Sequence, residues 1–139
     1  SAAFVQTLDV FATLADIAQV NVSQVAPGVK IDSISLLPYL KNASTRSLRA
    51  YGFSEKFDPV GVGYGAMSPP PGVTLSIKAM RDVRYKLHVD VVAQTEEFYD
   101  LLVDPLESQN LLVNGLAPGS PEELAYLKFK TDINALVGS

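Results

Sequence analysis

Between Val73 and Leu112 hydrophobic and polar side chains alternate with a period of two. Val73, Leu75, Ile77 and Ala79 interleave with Thr74, Ser76 and Lys78, and Tyr85, Leu87, Val89 and Val91 with Lys86, His88 and Asp90. That period predicts two half-buried strands. The link Arg81-Asp82-Val83-Arg84 is too short for a crossover, so the strands must turn back on each other as an antiparallel hairpin. A second return around Ala93-Gln94-Thr95 predicts a third strand near Glu96 to Leu101. Asp104-Pro105 then stops the ladder, because proline has no N–H to donate and restricts the residue before it. Arg49 to Phe57 sets Tyr51, Phe53 and Phe57 among small and charged residues and predicts a fourth strand.

Helical spacing governs the two ends of the chain. From Phe4 to Val20 the polar residues Gln6, Asp9, Thr13 and Asp16 fall on one narrow stripe, and Val5, Leu8, Val10, Phe11, Leu14, Ile17 and Ala18 cover the rest. Such a helix calls for burial on two or three sides. A loop follows at Pro27-Gly28, then a short helical segment at Ile34 to Leu40 with Pro38 near its first turn. At the far end, Ser120-Pro121-Glu122-Glu123 reads as an N-cap, a proline at the first helical position and a capping-box glutamate. Tyr126, Phe129, Ile133, Leu136 and Val137 then share one face, which predicts a helix closing one side of the sheet. The fold class expected is α+β: a small antiparallel sheet of about four strands, packed by a C-terminal helix and preceded by helical segments.

Composition narrows the function classes. The chain has 139 residues, 47% of them hydrophobic, with 11 basic against 15 acidic side chains and a net charge of −4. That is one domain's worth of chain with enough apolar surface for a core. No basic patch would neutralise a phosphate backbone, so a nucleic-acid partner is not expected. No apolar run approaches the roughly 20 residues that span a bilayer, and no basic-then-apolar leader opens the sequence, so no membrane partner is expected either. The absence of cysteine removes disulfides, thiolate metal sites and a cysteine nucleophile together.

Candidate chemistry is sparse. His88, the single histidine, lies between Lys86 and Asp90 on the strand. A His/Asp pair could move protons, but no serine, cysteine or second histidine is identifiable as its partner, and a surface or interface histidine is the expectation. Metal binding needs three or four ligands, and no such spacing occurs. Asp9 and Asp16, two helical turns apart, read as solvated or helix-pairing carboxylates. Gly61, Gly63 and Gly65 lie in the glycine- and proline-rich run Asp58 to Gly72, where Pro69-Pro70-Pro71 replaces the helix that a phosphate cradle requires. That run reads as a surface loop or as one lining a substrate cleft. Asn21-Val22-Ser23 and Asn42-Ala43-Ser44 match the glycosylation acceptor pattern.

Ala79-Met80-Arg81-Asp82-Val83-Arg84-Tyr85-Lys86-Leu87, then Glu97-Phe98-Tyr99-Asp100-Leu101, Asp104-Pro105, Glu107 and Asn110-Leu111, resemble the RDGRYKL…ELYDL..DP.E..NL tail of sulfatases in the alkaline phosphatase superfamily. Leu8 to Leu14 and Asp32 to Leu40 resemble that family's vDlfPTLl.lAg and DGvSLLPlL blocks. Ala12 stands where the family often has proline, and Ser33 where it often has glycine. The resemblance implies a helical segment over residues 1–44 belonging to the end of the catalytic domain, and a C-terminal subdomain over residues 45–139. It implies a parent enzyme that hydrolyses sulfate esters with a formylglycine, made from a Cys/Ser-x-Pro/Ala-x-Arg motif, a calcium ion held by Asp/Asn ligands, and flanking Lys, His and Arg, nearly all of which the family places before the helix matched by Leu8 to Leu14. No catalytic, cofactor-binding or metal residue carries over onto this chain.

The expectation is therefore the C-terminal portion of a sulfatase-like enzyme, catalytically silent by itself and structural or pocket-shaping in role. Its expected partner is the N-terminal catalytic domain; with that domain missing, self-association through residues 4–40, or folding of that segment back over the small sheet, is expected. A related phosphonate or phosphate ester hydrolase and a stand-alone binding or oligomerisation module are the alternatives. The compartment is left open, with periplasmic, secreted and lysosomal parents all fitting the family.

Overall fold

The computed structural model describes residues 3–59 and 71–137. The chain divides into two compact units, Ser1–Gly52 and Phe53–Ser139. The stretch 60–70, with the glycine-rich run and the readings placed on it, lies outside the described residues.

The first unit holds α1 (Asp9–Ile17), α2 (Val22–Val25) and α3 (Leu37–Lys41). The single long helix expected from Phe4 to Val20 is shorter, and its polarity is inverted relative to water. Asp9 and Thr13, on the polar stripe, are buried, whereas Val10, Phe11, Leu14 and Ile17 are exposed, Phe11 by 53% and Leu14 by 60%. The solvated carboxylate expected at Asp9 is thus corrected: only 1% of the residue is accessible. A buried carboxylate needs partners, and Asp9 has four. Both oxygens face the Arg49 guanidinium, the Nε lying 3.2 Å from Oδ2, and the backbone N–H groups of Ile34 (2.9 Å) and Gln6 (2.8 Å) donate to them. Asp16 is exposed, as expected of it.

Ser33 explains a local detail of α1. Its Oγ donates to the Leu8 carbonyl (2.6 Å) and accepts from the Ala12 N–H (2.9 Å), so a hydroxyl bridges what would otherwise be an ordinary turn of helix. Thr13 makes the same kind of stitch, donating to Asp9 O (2.7 Å) and accepting from Leu36 N (2.8 Å). The two positions that depart from the sulfatase pattern are therefore one feature. A proline at 12 would have no N–H for Ser33 to accept, and a glycine at 33 would leave the Ala12 N–H unbridged.

The second unit is a four-stranded antiparallel sheet in the order β1 (Gly52–Asp58), β2 (Leu75–Arg81), β3 (Tyr85–Asp90), β4 (Thr95–Asp100), with α4 (Pro121–Val137) packed against it. Both hairpins form where the sequence places them. Asp82 Oδ1 accepts from the N–H groups of Arg84 and Tyr85 at 2.7 Å, and Asp90 Oδ1 from those of Val92 (3.0 Å) and Ala93 (2.9 Å). Across the sheet Met80 pairs with Leu87 and Leu87 with Phe98, all three fully buried. The Phe98 ring stacks on Tyr85 (5.3 Å between centroids) and meets Tyr126 and Phe129 of α4 edge-on. Ile133, also on α4, is fully buried. The Glu123 N–H donates to Ser120 Oγ (3.1 Å), the expected cap, and the Glu123 carboxylate reaches back to the Gly119 N–H (2.6 Å).

On β2 the inward face is the opposite of the one its apolar alternation suggests. Ser76, Lys78 and Met80 are fully buried, while Leu75, Ile77 and Ala79 are half-buried on the other side. Lys78 tolerates this because its Nζ lies 2.6 Å from Glu55 Oε1 and 5.8 Å from the centre of the Phe57 ring, both on β1. A paired lysine with its stem along apolar surface can occupy a core position that an unpaired one cannot.

Phe98→Ala, which opens a cavity at the centre of the aromatic cluster, should cost about 3–5 kcal/mol in urea unfolding. Ser33→Gly and Ala12→Pro should each destabilise the first unit. Their double variant should lose less than the sum of the two, with a coupling of roughly 0.5–3 kcal/mol in a double-mutant cycle; simple additivity would refute the bridge.

Candidate functional site

The residues that carry the sulfatase resemblance converge on one end and one face of the sheet. At the end lies Asp100, buried, with Oδ2 accepting from Arg84 Nε (2.9 Å) and Nη2 (2.8 Å) and Oδ1 accepting from the Leu102 N–H (3.1 Å). The Arg84 guanidinium covers the Tyr85 ring at 4.7 Å, and the Tyr85 hydroxyl donates to Glu122 Oε1 (3.1 Å) in the first turn of α4. Arg84 holds the Asp100 carboxyl below the usual carboxylate range, and Asp100 in turn raises the Arg84 pKa. Burial, with the bond to Glu122, raises that of the Tyr85 phenol.

The segment 101–110, which follows β4, is fastened by its own polar side chains. Asp104 accepts from Ser108 Oγ (2.8 Å) and the Gln109 N–H (2.8 Å). Asn110 acts as a substitute strand on the free edge of β4: its Oδ1 accepts from the Phe98 N–H (3.0 Å) and its Nδ2 donates to the Glu96 carbonyl (3.3 Å). Glu107, with φ +57°, binds Lys86 Nζ through both oxygens at 2.7 and 2.9 Å.

His88 sits beside this clamp, between Glu97 and Glu107. Its side chain is 27% exposed, so the surface histidine expected from the sequence is a half-buried one. Nδ1 lies 3.9 Å from Glu97 Oε2 and Nε2 3.7 Å from Glu107 Oε2, and Nε2 is shut off from water with no hydrogen-bond partner. Burial pushes the imidazole below its ordinary pKa and Lys86 pushes the same way, while Glu107 and Glu97 oppose them. Tyr99 meets the ring edge-on at 6.1 Å. A cavity of about 180 Å³ opens beside it, lined by Ile77, His88, Asp90, Thr95 and Glu97.

The polar side chains at this end of the sheet are bonded mainly to one another and to the backbone. Asp90 caps the turn after β3 through its Oδ1, which accepts from the Val92 and Ala93 N–H groups. Among the described residues no group of three or more His, Asp and Glu side chains is arranged to hold a metal ion. No described helix is long and apolar enough to cross a membrane. Asn21 and Asn42, the two glycosylation-pattern asparagines, are exposed and bond to the residues two along: Asn21 accepts from Ser23 N and Asn42 from Ser44 N. The roles of Glu107 and Asn110 escape a reading by period or spacing. Their only signal was membership of the family tail.

Asp100 and Asp9 have depressed pKa values in the folded state, Asp100 through Arg84 first, and Asp9 because Arg49 and two backbone N–H groups outweigh burial, which alone would raise it. A depressed carboxylate stabilises the fold above its unfolded-state value, near pH 4, and that contribution is lost as the pH falls through the folded value. The urea midpoint should therefore drop below about pH 4, and Asp100→Asn should flatten that part of the profile while lowering stability at pH 7.

Comparison with known proteins follows the same outline. No family model matches the chain. Over 128 residues it is 30% identical to a choline-sulfatase of Rhizobium meliloti (strain 1021), an alignment covering 92% of this chain and 21% of that protein. The fold matches a crystal structure of a candidate sulfatase from Bacteroides thetaiotaomicron with a TM-score of 0.61 and 27% identity, over 92% of this chain and 24% of the other. It matches a 2-O GAG sulfatase with a TM-score of 0.56 and 26% identity, over 95% and 23%. The chain is sulfatase-like in sequence and in fold, and it spans about a fifth to a quarter of the length of the proteins it matches.

Proposed function

We propose that the chain is the C-terminal part of a sulfatase-like enzyme, where it braces the fold and helps shape the substrate pocket while residues elsewhere in the polypeptide cleave the sulfate ester. The observation that carries this reading is the asymmetry of coverage: nearly all of this chain aligns, on about a fifth to a quarter of each relative. Sulfuryl transfer from an ester needs an activated nucleophile and positive charge where negative charge develops. The formylglycine and calcium that the family uses would have to come from outside the residues described. The chain has no cysteine, and its described acids and histidine do not fit a metal site, so no step is assigned to them.

The first unit supports the same reading. Val5, Leu8, Val10, Phe11, Leu14, Ile17 and Val20 are each more than two-fifths exposed, and an apolar surface of that kind is more typical of an interface than of a face left in water. In the intact enzyme the proposed cover is the catalytic domain. With that domain missing, a second copy takes its place through residues 4–40.

Two measurements check this. The purified chain, supplied with calcium, should not hydrolyse p-nitrophenyl sulfate above the buffer rate, and the reading frame upstream of its codons should encode a Cys/Ser-x-Pro/Ala-x-Arg motif. Turnover by the chain alone, or an upstream frame with a phosphate or phosphonate hydrolase nucleophile instead, would overturn the assignment. In sedimentation the isolated chain should associate, and Leu14→Asp with Phe11→Asp should return it to monomer. A wild-type monomer would remove the self-association proposal.

A further inference from the structure

We propose that Asn114 is a site of spontaneous covalent modification: in the folded chain its side chain closes on the Gly115 amide and is converted to aspartate or isoaspartate. Asn114 is the one asparagine in the sequence that glycine follows. A side chain on the following residue crowds the amide nitrogen that must attack, and Val22, Ala43, Leu111 and Ala135 crowd it for the other asparagines. Gly115 has none, and the space around it is open: a Cβ placed there would meet no atom within 4 Å. The fold restrains the others as well. Asn110 commits its carboxamide to the Phe98 and Leu112 N–H groups and the Glu96 carbonyl. Asn21 and Asn42 accept from the Ser23 and Ser44 N–H groups, and Asn134 lies inside α4, where the helix holds the next N–H. Asn114 is exposed, and among the described residues its carboxamide has no hydrogen bond.

One weak bond guards the reacting nitrogen. Asn114 ends the 3-10 turn Leu111–Asn114, and the Gly115 N–H donates to the Leu112 carbonyl at 3.1 Å. Such a turn has poorer hydrogen-bond geometry than an α-helix, and its last bond opens locally without unfolding the chain. Gly115, at φ +73°, can follow the backbone rotation that ring closure requires. The nitrogen then gives its proton to hydroxide and attacks Asn114 Cγ. The N–Cγ bond forms, the Cγ–Nδ2 bond breaks, and Nδ2 leaves as ammonia with a proton from water, which restores the hydroxide. Water next adds to one carbonyl of the five-membered imide. Opening at the side-chain carbonyl gives aspartate; opening at the main-chain carbonyl gives isoaspartate, with one more methylene in the backbone. Space for that water is at hand, because Asn114 and Gly115 line an open cavity of about 310 Å³ with Gln109, Leu116, Ser120 and Glu122.

The test is incubation of the whole 139-residue chain in mildly alkaline buffer, followed by peptide mapping with mass detection and enzymatic methylation of isoaspartate. The peptide containing residue 114 should gain the mass of an amide-to-acid change several-fold faster than those containing Asn21, Asn42, Asn110 or Asn134, and it should carry the isoaspartate. Asn114→Gln, which leaves the backbone unchanged and would need a larger ring, should abolish that signal. A parallel incubation in urea separates the folded from the unfolded reaction. Conversion at 114 confined to urea, conversion elsewhere at an equal rate, or isoaspartate persisting in the variant would overturn the proposal.

Discussion

The second unit depends on how one buried carboxylate is satisfied. Asp100 ends β4 where the ladder has to stop, and a charge withdrawn from water there would be unfavourable without partners. Arg84 supplies two charge-assisted bonds, and the Leu102 N–H a third. The consequences spread outward. The guanidinium joins the first hairpin to the end of the fourth strand, its flat face covers Tyr85, and the Tyr85 hydroxyl reaches the first turn of α4 through Glu122. The start of the segment 101–110 is set by the same residue, because the N–H groups of Val103 and Asp104 bond to its carbonyl.

This arrangement separates what the sequence shows from what it conceals. Strand positions, both hairpins, the C-terminal helix and its cap are local properties, written in alternation, turn acids and the Ser-Pro-Glu-Glu start, and they appear as read. Which face of an element points inward is not local. β2 and α1 both carry clear stripes, and β2 turns Ser76 and Lys78, α1 Asp9 and Thr13, toward protein. Lys78 can do so because Glu55 and Phe57 lie on a neighbouring strand more than twenty residues earlier, and Asp9 because Arg49 arrives from forty residues later. Periodicity measures the contrast between two faces, and the partner that decides between them is elsewhere in the chain.

The same limit applies to His88. Its flanking residues, Lys86 and Asp90, are of exposed type and suggest a surface position. The structure adds Glu107, which crosses over from a segment nineteen residues downstream, and Tyr99 from the next strand. Neither could be assigned from neighbours in sequence. In the first unit Ala12 and Ser33 look like two unrelated departures from a family pattern, and only the shared hydrogen bond shows that they form a pair.

The recognisable sequence of this chain is written largely in side chains that bond to the fold itself. The residues that carry the sulfatase resemblance are those whose side chains are consumed by the fold: Asp82 by a turn, Arg84 and Asp100 by each other, Lys86 and Glu107 by each other, Asp104 by its own loop, Asn110 by the edge of β4. Each replaces a bond that water would otherwise make, and each has a geometry that few other residue types reproduce. A motif of that origin is specific because the fold needs those side chains, and fold and function are separate questions. It follows that the strength of such a resemblance measures how tightly the sheet, the segment beside it and the closing helix are tied together.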